Sequence, residues 1–235
     1  MRDGILRGIV FDLDGVIVDS HPIHKRAWRA FLASVGREVS ESDLDFILEG
    51  RRRQEILVHF LGDLSESEVW DYGDLKDEFF RQFSAAPEPV TGSIEFINSL
   101  ENTGLRLAVA TSASRQRARW TLEQLRIMHH FELLVTGEDV AQCKPDPAIY
   151  KLAAQRLSIA PQCVLGIEDS VCGVRSAKAA GLRCLGVGFG KSACQLLAAG
   201  ADCVFANLAG LTMRQVDEAL RAYALAKAIP ADPLC

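Results

Sequence analysis

The chain has 235 residues, 49% of them hydrophobic and 24% charged, enough to bury a sizeable core in one large domain or in a domain carrying an insertion. A formal net charge of −5 speaks against a nucleic-acid partner, which favours a basic protein. No run of about 18 apolar residues occurs, so no membrane span is expected, and Arg2, Asp3 and Arg7 before the first apolar run leave no signal peptide.

In chain order, short apolar runs recur at Gly8–Phe11, Leu105–Ala110, Leu133–Val135, Val164–Ile167, Leu185–Val187 and Val204–Phe205. Their apolarity is continuous rather than alternating, which predicts strands covered on both faces. Helical patterns lie between them at Gly92–Asn102, Arg115–Leu125, Pro147–Leu157, Val171–Ala180 and Ala193–Ala199. That rhythm predicts an α/β fold with a doubly wound parallel sheet. Residues 17–88 break it with four helical stretches, Pro22–Val35, Glu41–Glu49, Arg53–Phe60 and Glu66–Phe83. The expected organisation is a sheet domain of residues 1–16 and 89–235, interrupted by a helical domain of residues 17–88. Ala224 to Cys235 reads as a helix end and a loose terminus.

Seven cysteines are present, an odd number without a C-x-x-C pair: Cys143, Cys163, Cys172, Cys184, Cys194, Cys203 and Cys235. Most sit in apolar runs, so they read as small buried hydrophobes in a reducing cytoplasm.

In open parallel sheets, ligands bind beyond the carboxyl ends of the strands. The first strand ends in Asp12 and Asp14, and the second in Thr111-Ser112-Ala113-Ser114. Glu138, Asp139 and Lys144-Pro145-Asp146 follow the third, and Glu168-Asp169-Ser170 end the fourth. Each has a plainer reading: Asp14-Gly15 as a turn, Ser114, Asp146 and Ser170 as helix N-caps, Lys144 as a solvated lysine. Their recurrence at four strand ends is what favours a site. Two like charges about 4 Å apart repel by roughly 4 kcal/mol at an effective dielectric near 20, so Asp12, Asp14, Glu168 and Asp169 together need a cation. The donors are all oxygen, which selects Mg²⁺ before Ca²⁺ and Zn²⁺. Metal, lysine and hydroxyls make a receptor for phosphate, one aspartate attacking phosphorus and the other moving a proton.

These residues resemble the haloacid dehalogenase superfamily of aspartate-nucleophile phosphohydrolases through four ordered motifs: Asp12-Leu13-Asp14-Gly15-Val16, Thr111-Ser112, Lys144-Pro145 and Gly166-Ile167-Glu168-Asp169-Ser170. The helical insertion resembles the cap of the subgroup containing β-phosphoglucomutase and sugar phosphatases. The resemblance implies a Rossmann-like core with a small α-helical cap. It implies that Asp12 is the nucleophile and Asp14 the general acid/base. Ser112 and Lys144 bind phosphate, aided by the N–H groups of Ala113 and Leu13. Mg²⁺ is held by Asp169, Asp12 and the carbonyl of Asp14, with Glu168 as a further ligand. The dehalogenases themselves lack the second aspartate, so Asp14 favours phosphoryl transfer.

His24 matches a cap-hinge histidine, and Arg53 an arginine that grips a distal phosphate in related mutases. Glu49 stands where mutases commonly carry a lysine, which shifts weight to hydrolysis. Trp28 reads as cap core. The expectation is a cytoplasmic, monomeric, Mg²⁺-dependent phosphatase of a small phosphorylated metabolite, most simply a sugar phosphate, without nucleic-acid or membrane partners. The rivals are a β-phosphoglucomutase-like isomerase and a non-enzymatic binding protein on the same fold. Asp12, Asp14, Lys144 and Asp169 together speak against the second.

Overall fold

The computed structural model describes residues 5–47, 53–84 and 86–228. Six strands form one parallel sheet: β1 (Gly8–Phe11), β2 (Arg106–Thr111), β3 (Leu133–Thr136), β4 (Val164–Glu168), β5 (Arg183–Val187) and β6 (Cys203–Phe205). Their order is β3-β2-β1-β4-β5-β6. The chain winds outward from β1 on one side, then returns and winds outward on the other. The loops after β1 and β4 therefore part, leaving a crevice at their carboxyl ends.

Both faces of the sheet are covered, as the apolar runs demand. Ile9 and Phe11 face a cluster with Phe96 and Ile97 of α5 (Ser93–Ser99), Leu122 of α6 (Arg115–Gln124) and Leu220 of α10 (Met213–Ala228). Val10 faces the opposite cluster, with Tyr150 of α7 (Ala148–Arg156), Val174 of α8 (Val171–Ala179) and Leu196 of α9 (Gly190–Ala199). Adjacent side chains on β1 thus anchor opposite helical layers, the consequence of a period of two.

Between β1 and α5 the chain forms only helices among its described residues: α1 (His21–Ser34), α2 (Glu41–Ile47), α3 (Arg53–Leu61) and α4 (Glu66–Phe83). They enclose their own core of Trp28, Phe31, Leu32, Leu44, Ile56 and Leu57. Pro22 sits in the first turn of α1, where its missing N–H costs nothing. Ser65 and Glu68 close a reciprocal capping box at the start of α4. The two connections to the sheet are stitched together. Asp19 N–H donates to Glu88 O at 2.8 Å and Val90 N–H to Ile17 O at 3.0 Å.

Several boundaries differ from expectation for local reasons. β2 runs Arg106–Thr111 because Arg106 N–H donates to Arg7 O and its guanidinium pairs with Glu132, letting a charged residue open the strand. The helix expected to reach Asn102 ends at Ser99, and Asn102 then adopts a φ of 65° that a helix cannot continue. α9 begins at Gly190 because Phe189 N–H donates to Ser192 Oγ and the turn closes early. Cys194 is exposed, contrary to the buried role expected of the cysteines, because it lies on the solvent side of that lengthened helix. Cys235 and Glu49 lie outside the described residues.

The cap core should be structural rather than permissive. Phe31 is buried with edge-on contacts to Trp28 and Tyr72, ring centres 5.7 and 5.9 Å away. Phe31→Ala is expected to cost about 3–5 kcal/mol in urea unfolding. A loss under about 1 kcal/mol would mean that this core collapses without penalty.

Candidate active site

Asp12 directly follows β1, and its N–H donates to Ile167 O of β4 at 2.9 Å, fixing it at the crevice. Lys144, on the loop after β3, is 2% exposed. Its ammonium donates to Asp12 Oδ1 at 2.6 Å, Glu168 Oε1 at 2.6 Å and Ala110 O at 3.1 Å. It is therefore a buried bridge rather than a solvated lysine. Asp12 Oδ2 is hydrogen-bonded to no described residue. Burial pushes the Asp12 carboxyl well above the usual carboxylate range. Lys144 pulls it back only in part, and Glu168, Asp169 and Asp14 add repulsion.

Glu168 is fully buried, with Tyr150 Oη donating to Oε1 at 2.6 Å and Ser170 Oγ to Oε2 at 3.2 Å. Gly173 lies beneath its carboxyl, where any Cβ would collide with it. Ser170 also caps α8, accepting from Gly173 N–H at 3.0 Å. The capping and site readings of Ser170 therefore both hold. Asp169 approaches His21 Nε2 at 3.3 Å and crowds against Gly15, whose φ of 77° and lack of a Cβ admit it. Burial, then the Glu168 charge, raises the Asp169 carboxyl well above its ordinary range.

Asp14 has a partner absent from the sequence-based expectations. Arg117, in the first turn of α6, grips it with both ends of its guanidinium at 2.8 and 2.5 Å. Ser20 Oγ donates to Asp14 Oδ1 at 2.5 Å, and His24 Nε2 lies 3.5 Å from the same oxygen. Burial alone would raise this carboxyl, yet Arg117, with help from the hydrogen bonds of Arg117 and His24, holds it well below the ordinary range. His24 is pushed down to about 3, first by burial and then by the charge of Lys76, so its approach to Asp14 is a neutral hydrogen bond rather than an ion pair. The His24 ring packs on Phe80 of α4, and the Arg117 guanidinium lies 5.2 Å over the same ring.

A cavity of about 490 Å³ lies between sheet edge and cap. Its core wall includes Asp12, Asp14, Ser112, Ala113, Lys144 and Asp169; its cap wall includes His24, Trp28, Arg53, Trp70, Lys76 and Asp77. Glu168 stands behind this lining. Trp28 is buried cap core, as expected, and also lines the cavity. The Ala113 N–H, expected to face phosphate, donates instead to Thr111 Oγ1 at 3.1 Å. Ser114 caps α6 through Arg117 N–H, and Asp146 Oδ1 accepts from Ala148 N–H at 2.8 Å, so both are caps as well as neighbours of the site. Arg53 Nη1 is held by Asp77 at 2.9 Å rather than standing free.

Oxygen donors of Asp12, Glu168 and Asp169 lie within 4.8 Å of one another. Four carboxylates (Asp12, Asp14, Glu168, Asp169) face two cations (Lys144, Arg117), leaving two formal negative charges. An all-oxygen donor set with that surplus fits a hard divalent ion.

Lys76, Asp77, Tyr150 and Arg117 were missed. Two of them had a faint signal. Lys76 lies one helical turn from Tyr72 and one from Phe80, on the apolar stripe of α4, where a charge is out of place. Arg117 opposes the dipole at a helix N-terminus, where acids are favoured.

Sheet, carboxylate cluster and helical lid together define a capped, Rossmann-like α/β protein with its acidic groups gathered at the strand ends. The family model for haloacid dehalogenase-like hydrolases matches residues 9–187, and the chain belongs to that family. A phosphorylated carbohydrates phosphatase of Thermotoga maritima is 33% identical over 180 residues, covering 75% of this chain and 82% of that protein. β-Phosphoglucomutase of Bacillus subtilis is 27% identical, covering 96% of this chain and all of that one. The crystal structure of CbbY from Rhodobacter sphaeroides in complex with phosphate superposes with a TM-score of 0.76 at 29% identity, covering 88% of this chain and 96% of that chain. These relatives put the chain in the β-phosphoglucomutase and sugar-phosphatase-like subgroup.

The buried Lys76 gives a pH test. Burial lowers its ammonium from 10.5 to about 8, against the opposing pull of Asp77. Below pH 8 both folded and unfolded states hold the proton and the folded state bears the full penalty, about 3 kcal/mol. As pH rises the folded state releases its proton first, so the penalty fades and is gone above the unfolded value. Lys76→Met should therefore be more stable than wild type at pH 7, with the gap closing by pH 10.5, as read from urea midpoints across pH. A gap independent of pH would contradict this origin.

Proposed function

We propose that the chain is a Mg²⁺-dependent phosphatase that hydrolyses a small phosphorylated carbohydrate through a phospho-aspartate. The observation that carries this reading is Asp12 itself: one oxygen locked by Lys144, the other unpaired among the described residues, in a capped cavity. The phosphatase names of relatives such as that of Thermotoga maritima support it.

Asp12 Oδ2 attacks phosphorus as the bond to the sugar oxygen breaks, and that oxygen takes a proton from Asp14. Water then attacks the same phosphorus, the bond to Asp12 breaks, and Asp14 takes the water's proton. Ser112 holds a phosphoryl oxygen, and Lys144 holds another by turning one of its three donors from its present acceptors, Asp12, Glu168 and Ala110 O, to the phosphate. Asp14 paired to Arg117 is in the carboxylate form, which serves the second step; the acid form requires it to move off Arg117. Asp12, Asp169 and the Asp14 carbonyl would hold Mg²⁺, with Glu168 behind them. When bound, the ion neutralises charge shared by nucleophile and phosphate.

We read the protein's setting as a reducing cytoplasm. No helix among the described residues is long and apolar enough to cross a membrane. We read the protein as a monomer without nucleic-acid partners.

Asp12→Asn should lower phosphate release from sugar phosphates by at least about 10³-fold. EDTA should stop the wild-type reaction, with Mg²⁺ restoring it. Turnover by the variant above about a tenth of wild type would overturn the mechanism.

The second reading, a sugar phosphomutase, is favoured by the end-to-end match to Bacillus subtilis β-phosphoglucomutase. With glucose 1-phosphate, a mutase yields the 6-phosphate and a phosphatase yields free phosphate.

A further inference from the structure

The cap wall of the cavity carries its own charge cluster, separate from the one at the strand ends. Asp77 on α4 accepts from Arg53 Nη1 at 2.9 Å and from Lys76 Nζ at 3.2 Å. Lys76 is only 4% exposed, and its ammonium stands 5.5 Å from the Trp28 ring and 5.0 Å from the Phe80 ring. Among the described residues, the charged cap side chains lining the cavity are two cations, Arg53 and Lys76, and two acids, Glu66 and Asp77. The cap wall is thus neutral, and its cations already have a partner.

We infer that Asp77 is a specificity-determining residue. By engaging Arg53 and Lys76 it makes the cavity take a carbohydrate bearing one phosphate and a neutral, hydroxylated remainder, and reject the corresponding bisphosphate. This rests on the phosphatase reading of the same site. A second phosphate reaching the cap would have to displace Asp77 from both cations while being repelled by it. A hydroxyl asks for no such exchange, because Asp77 can accept from it and Arg53 or Gln54 can donate to it. Trp70, exposed at the cavity wall with the Arg53 guanidinium 6.0 Å from its ring, offers a flat surface to the apolar face of a sugar ring. The charge balance therefore assigns the two walls different work. The strand ends take the anion and the cap takes the neutral part.

The test compares kcat/KM for paired monophosphates and bisphosphates of glucose, fructose and ribulose, in wild type, Asp77→Asn and Asp77→Glu. The amide removes the charge at constant volume, leaving Lys76 without this carboxylate and Arg53 with only the longer 3.9 Å approach to Asp74; the glutamate keeps the charge. Wild type is expected to favour the best monophosphate over its bisphosphate by about tenfold or more. Asp77→Asn should shift that ratio toward the bisphosphate by about tenfold, mainly through KM, while Asp77→Glu leaves it within about threefold. A wild type that prefers the bisphosphate, or an Asp77→Asn ratio equal to wild type, overturns the inference and leaves the phosphatase reading standing. If Asp77→Asn does not fold, Asp77→Ser, which also removes the charge, takes its place in the comparison. No phosphate release from any pair by wild type overturns both.

Discussion

The Lys144 ammonium, buried between Asp12 and Glu168, is the contact on which the rest of the site depends. Three acids converge at the ends of β1 and β4 because a cation from the loop after β3 sits among them. Removing one member of such a buried pair leaves an uncompensated charge and costs far more than the pair contributes. The surroundings are built accordingly. Tyr150 and Ser170 occupy the other positions on Glu168, and the missing Cβ of Gly173 gives that carboxyl its room. Glu168 is therefore fixed from every side, and Lys144 is fixed by Glu168. Among the described residues, Asp12 is left with one oxygen held by Lys144 and the other without a hydrogen bond, the arrangement that the proposed nucleophilic role requires.

A second link joins this chemistry to the lid. Arg117 belongs to the core helix α6, yet its guanidinium reaches Asp14 on one side and the face of Phe80 in the cap on the other. Ser20 and His24, at the start of the first cap helix, touch the same aspartate. The two carboxylates of the first motif thus answer to different neighbours: Asp12 to the sheet core, Asp14 to residues that span core and cap. Their ionisation differs for the same reason. Asp12 is raised by burial among like charges, and Asp14 is lowered by a bidentate arginine.

Much of this was legible in the sequence because it follows from short-range pattern. Continuous apolar runs gave the parallel strands, and polar groups at the ends of those runs marked the edge where the carboxylates gather around a cavity. Asp12, Asp14, Ser112, Lys144 and Asp169 all line the cavity, and Glu168 stands behind it. What pattern could not supply was pairing across distance. Arg117 and Asp14 are 103 positions apart, and nothing near either names the other. Arg53 was matched to an arginine that grips a distal phosphate, and its pairing with Asp77 of another helix had no local signal; the Thr111 hydroxyl that accepts from Ala113 N–H likewise shows itself only in three dimensions. Cys194 lies in a helix by either boundary, but which side of that helix meets solvent is settled only by tertiary packing.

The stitching of Asp19 to Glu88 and of Ile17 to Val90 has a consequence for how such a protein can diverge. Where the chain leaves the sheet and where it returns are clasped together, so the core closes the same loop whatever lies beyond the clasp. Loop-closure entropy grows only slowly with length, and it is settled locally here. Beyond Ser20, His24 and Phe80, which touch Asp14 or its arginine, the lid can then change its residues and its helices without disturbing the strand ends. A lineage can acquire new substrates by rewriting one segment while inheriting its chemistry intact.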